Sequence, residues 1–224
     1  MKKARLINRL PLILLVFSPL LCGADLSTYR GFQLGMGLNA AVKHSGMDMS
    51  EVTLIHERPA RIQELTWNPE RFSGASRGTD PVEQVLFSFY SGQLYRMVVD
   101  YDHQKTEGLS VEDIIEAVSA TYGSTGFRPA VKTFLPSASF SEGVMVVARW
   151  EDGDYSLDLV QSPYGSRFGL IARSKRLDGL AQSAIAAGIH VDEQEAPQRQ
   201  KAEEQNAQNK LDMARLANKP HFRP

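Results

Sequence analysis

Asp100-Tyr101-Asp102-His103 is the densest gathering of potential metal ligands in this chain of 224 residues. On a strand, Asp100 and Asp102 share a face, and two carboxylates could meet one hard cation there. The segment closes an expected hairpin, however, where acidic side chains ordinarily turn to water. Glu151-Asp152-Gly153-Asp154 also concentrates carboxylates, but without the alternating spacing of a calcium loop, and Asp-Gly between two apolar runs reads as a hairpin turn. His56-Glu57 begins as a zinc-protease helix does, yet Ala60 stands where the second histidine is needed and Pro59 forbids the helix. His44, His190 and His221 are isolated, and no Gly-x-Ser-x-Gly nucleophile elbow, phosphate loop or dinucleotide fingerprint is expected. These readings nominate no catalytic residue, no metal ligand and no cofactor. One enzymatic alternative stays open: a hydrolase of cell-wall or extracellular polymer using dispersed carboxylates, with Asp100, Asp102, Glu151 or Asp154 in its cleft.

Aromatic residues offer a different chemistry. Phe87, Phe89, Tyr90, Tyr95 and Tyr101 crowd one hairpin, and Trp67 and Trp150 end strands. Most belong in a core. On an uncovered sheet face, Tyr90, Tyr95 and Tyr101 would instead form a protein-binding surface, because a phenol combines large contact area with a polar end.

The N-terminus says where such a surface would work. Lys2, Lys3, Arg5 and Arg9 precede the apolar run Leu10 to Leu21, and Cys22-Gly23-Ala24 then supplies small residues. That order is an export signal, and the run is shorter than the roughly 20 residues a bilayer span needs. Cleavage is expected after Ala24, giving a periplasmic or secreted chain starting at Asp25. The alternatives are an uncleaved membrane anchor, or a lipidated Cys22 with Leu21 poorly placed before it. Removing the four basic residues of the signal from 25 leaves 21 against 26 acidic residues, a net of −5. Such a chain has no electrostatic reason to bind nucleic acid or anionic lipid. Cys22 is the only cysteine, so no disulfide can form after cleavage and the fold must rest on its apolar core.

The rest divides into residues 25–107, 108–191 and 192–224. In the first part Leu38, Ala41, Val42 and Ser45 share a helical face that ends at Gly46; in the second Val111, Ile114, Ile115, Val118 and Tyr122 do so, ending at Gly123. Ser110 with Asp113 is a capping box. Strand patterns follow each helix: Val52–His56, Ile62–Trp67, Val85–Tyr90 and Leu94–Tyr101, then Ala130–Leu135, Val144–Trp150, Tyr155–Gln161 and Arg167–Ser174. The loop Asn68–Pro81 is rich in Gly, Ser and Pro. In the second strand pattern of the second half, Val144, Val146, Ala148 and Trp150 point one way by simple alternation. A closing helix from Leu177 to Ile189 would bury Leu177, Leu180, Ala181, Ile185 and Ile189. The polar tail beyond Asp192, with Pro197 expected to break any continuous helix, is either a solvated helix or disordered. The predicted class is α+β, an antiparallel sheet with helices packed on one face, in two related halves.

Gly35-Met36-Gly37-Leu38 to Gly46, followed by strands and Trp67, resembles the helix-plus-sheet module of the small outer-membrane assembly lipoproteins and, in tandem, of β-lactamase-inhibitory-protein-like proteins. Gly108 to Gly123, followed by strands that include Trp150, is similar to a second copy. The resemblance covers roughly residues 30–176 and implies an α+β fold used to bind proteins, with no catalytic residue to carry over. The expected function is therefore a non-catalytic protein-binding module of the bacterial envelope, contacting another envelope protein through a sheet face or the loop at 68–81. A carrier of a small ligand in a cavity between sheet and helices is a further reading.

Overall fold

The computed structural model describes residues 25–72, 80–124, 144–162, 167–221 and 223. The expected signal at 1–24, the strand expected at Ala130–Leu135 and residues 73–79 of the loop at 68–81 lie outside them.

Helix α1 (Leu38–Ser45) buries Leu38, Ala41, Val42 and Ser45, the face its sequence spacing marks, and Gly46 closes it in the left-handed conformation at φ 72°. Strands β1 (Thr28–Tyr29) and β2 (Phe32–Gln33) form a small hairpin before it. After it come β3 (Thr53–His56) and β4 (Ile62–Trp67), the short helix α2 (Pro69–Phe72), then β5 (Val82–Tyr90) and β6 (Gln93–Tyr101). Ser91 and Gly92, both at positive φ, make the tight turn between β5 and β6.

The short helix α3 (His103–Thr106) ends the first half, and the second opens with α4 (Val111–Tyr122), which buries Ile114, Val118 and Tyr122. Its capping box forms as the sequence predicts: the Asp113 N–H donates to Ser110 Oγ at 3.1 Å, and the Ser110 N–H donates to the Asp113 carboxylate at 2.8 Å. Strands β7 (Met145–Glu151), β8 (Tyr155–Gln161) and β9 (Phe168–Ser174) complete the sheet. Helix α5 (Lys175–Asn218) follows β9 without a break.

The fold is α+β. Seven strands form one antiparallel sheet in the order β3-β4-β5-β6-β9-β8-β7. Each half contributes a helix followed by a run of strands, and the halves join through their last strands, with Arg96 opposite Arg173 and Val98 opposite Ile171. One face carries the main core. Phe87, Phe89, Met97, Trp150, Leu157 and Leu170 pack there beneath α1, α4 and the β1–β2 hairpin. Burying each such side chain contributes about 1.5–3 kcal/mol.

The other face is mixed, and α5 crosses it. Leu177 and Ala181 pack on Ile62 and Tyr95, with Tyr90 and Ile185 beside them. A chain leaving the central strand β9 must fold back over one face, and α1 and α4 already fill the first. The closing helix differs from expectation in which side chains it buries. Leu180 and Ile189 are 44% and 48% exposed, whereas Gly188 takes the contact with the β3–β4 turn. Pro197 also lies within the helix and does not end it. A proline removes one backbone donor and crowds the preceding turn, and here the affected turn is exposed, so water can take the freed carbonyl.

Simple alternation fails in β7. The register shifts between Val146 and Ala148, so Val144 and Val146 join a second apolar cluster with Leu86, Val98, Val160 and Ile171. Ala148 and Trp150 instead enter the main core. A bulge inserts one residue and reverses the phase of everything beyond it.

Candidate functional site

The three tyrosines singled out by sequence separate. A second bulge, at Tyr95 between the pairs Phe89–Leu94 and Ser88–Arg96, sets that residue on the α5 side of the sheet. Tyr95 is buried beneath α5 and Tyr90 lies half-buried next to it. Tyr101, at the end of β6, faces the other way, into a cavity of about 540 Å³ between α4, α3, the β1–β2 turn and the sheet.

The floor of this cavity is buried and largely apolar: Ile114 and Val118 from α4, Leu170 from β9, and the rings of Tyr29, Tyr101 and Tyr122. Its rim carries Arg30, Lys105, Leu109, Asp113 and Thr121. The size lies within the usual range for small-molecule sites, about 300–1,000 Å³.

Local structure fixes each phenol. Tyr29 comes from β1, directly before the Arg30–Gly31 turn, where both residues have positive φ. Gly31, at φ 82°, holds the left-handed conformation that favours glycine, and a β-carbon there would sit 2.8 Å from His44 Nε2 and displace that exposed ring. The Arg30 guanidinium then forks onto Asp80 at 2.6 and 2.8 Å, and Asp80 also accepts the Val82 N–H at 2.9 Å, tying the turn to the start of β5. Tyr122, in the last turn of α4, donates to the Thr28 carbonyl at 3.1 Å. The Tyr29 and Tyr101 hydroxyls lie close enough to influence each other's titration.

Burial keeps all three phenols protonated. It raises Tyr29 to about 12, against a weaker opposing pull from Arg30, and it pushes Tyr101 well above its ordinary 10.0 and Tyr122 upward. The cavity therefore presents neutral hydroxyls, not phenolates. Asp113 is engaged in the α4 capping box and Asp80 on Arg30. Among the described residues the lining holds no histidine and no cysteine; it offers hydrogen bonding and apolar contact.

The acidic segments weighed in the sequence do not converge. Asp100 lies on the strand and accepts from Gln84 Nε2 at 2.7 Å, while Asp102 has left it and caps α3, accepting the Gln104 N–H at 2.7 Å. Asp152 closes its turn by accepting the Asp154 and Tyr155 N–H groups, and Glu151 pairs with Lys175 at 3.3 Å. No group of three or more His, Cys, Asp or Glu residues suited to a metal ion occurs among the described residues. Gly74-Ala75-Ser76-Arg77-Gly78 does spell Gly-x-Ser-x-Gly, which corrects the expectation that the sequence holds no nucleophile-elbow pattern. It falls outside the described residues, with helix α2 before it and strand β5 after it. A nucleophile elbow needs the reverse order, strand then helix.

On the α5 face, charged side chains form a band across the strands. Asp158, fully buried, accepts from Arg149 at 2.5 and 3.1 Å and also pairs with Arg173. Arg96 faces Glu64 at 3.8 Å and stacks over the Tyr95 ring, its cationic carbon 5.6 Å from the ring centre. These groups neutralise one another within the sheet surface. Among the described residues no helix is long and apolar enough to cross a membrane.

Comparison of the chain with protein-family models, with curated proteins and with solved structures found no match.

Sequence reasoning named Tyr101, and a cavity between sheet and helices as a further reading, but did not join them to Tyr29, Arg30 and Tyr122, which belong to no motif. Tyr122 carried the one available signal. It is a large polar-tipped residue at the end of the apolar stripe of α4, where its hydroxyl had to meet something.

Proposed function

We propose that this chain is exported into the bacterial envelope and acts there as a non-catalytic binding protein, holding a small molecule between α4 and the sheet. The observation that carries the ligand reading is the cavity itself: about 540 Å³, with an apolar buried floor and three phenol hydroxyls. An apolar enclosure with a few convergent polar groups is the form that small-molecule sites take. The N-terminal order of basic, apolar and small residues supports export.

The test is native mass spectrometry of the chain purified from envelope extract, compared with an Ala117→Trp variant that puts an indole into the mouth of the cavity. A bound small mass in the first protein and none in the second supports the reading. Equal, unliganded masses in both, with no displaceable apolar dye, count against it.

A second reading has its own observation. Beyond the Arg58–Glu195 ion pair at 3.2 Å, α5 continues to Asn218 with every residue exposed, including Leu211, Met213 and Leu216 at 65%, 71% and 73%. At 1.5 Å per residue this is an arm of roughly 35 Å. An exposed arm with apolar side chains supports contact with another envelope protein. Crosslinked pull-down with the full chain and with a chain ending at Glu195 decides it. A partner captured equally by both excludes the arm.

A further inference from the structure

The polar groups of the cavity are sorted by depth, and this sorting restricts what can sit in it. The floor holds Tyr29, Tyr101, Tyr122 and the Thr106 hydroxyl, all uncharged, among Ile114, Val118 and Leu170. Formal charge is confined to the rim. Arg30 there is held by both oxygens of Asp80, and Asp113 by the Ser110 N–H and hydroxyl.

We infer that the cavity selects an amphiphile with an uncharged hydrogen-bonding head, an alcohol or a carbonyl, seated against the Tyr29–Tyr101 pair with its apolar body along α4. This rests on the cavity being the ligand site, and it names the chemical class that the site takes. A carboxylate or ammonium head at the same depth would lose its hydration without gaining a free counter-charge, since the charged residues of the lining, Arg30, Lys105 and Asp113, each already have a partner. A neutral head exchanges hydrogen bonds with water for hydrogen bonds with phenols at little net loss. Counting about 30 Å³ per water-sized group, 540 Å³ gives room for roughly 18 non-hydrogen atoms, a medium-length chain with a head.

The experiment uses three probes of one chain length, dodecanol, dodecanoate and dodecylammonium, displacing a fluorescent apolar dye from the chain beginning at Asp25. The expected result is that dodecanol displaces the dye at a concentration about tenfold or more below the two ions. Tyr29→Phe and Tyr101→Phe, which keep both rings, should each reduce that preference while the dye still binds. Equal displacement by all three probes, or a preference for either ion, overturns the inference and leaves the cavity reading standing. A preference for dodecanol that both tyrosine variants retain in full also overturns it, because the head would then lie elsewhere. If no probe displaces the dye and Ala117→Trp does not reduce dye binding, the cavity reading falls with it.

Discussion

The backbone oxygen of Arg58, in the β3–β4 turn, lies 2.9 Å from the point that a β-carbon on Gly188 of α5 would occupy. Helix and turn touch backbone to backbone, and only glycine permits it. The residue therefore acts as a docking point for a helix that otherwise holds the sheet through Leu177, Ala181 and Ile185. Alanine at 188 gains up to about 1 kcal/mol of helix propensity but must push the turn away, which typically costs about 1–3 kcal/mol. A lower urea midpoint is expected for Gly188→Ala. Gly179, in the same helix with nothing within 4 Å of its β-position, is the control. Gly179→Ala should raise the midpoint by about 0.5–1 kcal/mol, and the opposite signs separate docking from propensity.

Asp158 should be the least replaceable charge in the sheet. It is fully buried, and Arg149 and Arg173 both point at it with side chains 37% and 15% exposed. Asp158→Asn leaves two arginines without their carboxylate, and Arg173 has little access to water. A loss of about 2–4 kcal/mol in chemical denaturation is expected. Arg149→Met should lose less than half of that, since its guanidinium is already partly hydrated. Equal losses would show that the pair with Arg149 dominates.

Alkaline stability should carry the signature of the buried phenols. Their folded pKa values are raised, so folding is favoured by the neutral form. That contribution is fully present below the unfolded value of 10.0 and is lost as pH rises through the folded values, about 12 for Tyr29. The stability curve should therefore bend downward above about pH 10 and not before. Tyr29→Phe should flatten the bend. At the acid end the sign is reversed. The Arg30 fork holds the Asp80 carboxyl below its ordinary 3.8, so its contribution is present above that value and is lost as pH falls further. Arg30→Met should remove this acid dependence, measured by denaturant midpoints across the acid range.

Export has a direct check. Expressed with its first 24 residues in a bacterium with a signal peptidase, the chain should be recovered outside the cytoplasm with Asp25 as its first residue by N-terminal sequencing. Ala24→Arg should leave the full-length form attached to membranes. An acylated N-terminal Cys22 would establish the lipidated alternative instead.

Local rules account for what the sequence disclosed. The stripe Leu38–Ala41–Val42–Ser45 with Gly46, the box Ser110–Asp113, and the turns at Ser91–Gly92 and Asp152–Gly153 are each decided within a few residues, and each formed. The misses have non-local causes. Whether Val146 and Ala148 share a face depends on how β7 pairs with β8, which alternation along β7 alone cannot encode. Pro197 continues the helix because nothing packs on it. The cavity needed residues 29, 101 and 122 brought together by the sheet and α4, so its chemistry became visible only after folding.

The junction of β6 with β9 bears on how this chain reaches its final shape. The two strands that hold the halves together are separated by α3, α4, β7 and β8, and β9 is the last strand made. Until it arrives, β6 presents an open edge and Leu170 is missing from beneath the tyrosines. A ribosome thus releases most of the body of the protein before its centre can knit. Completion then comes as a single late event, and α5, leading straight out of that same strand, is the segment that arrives with it.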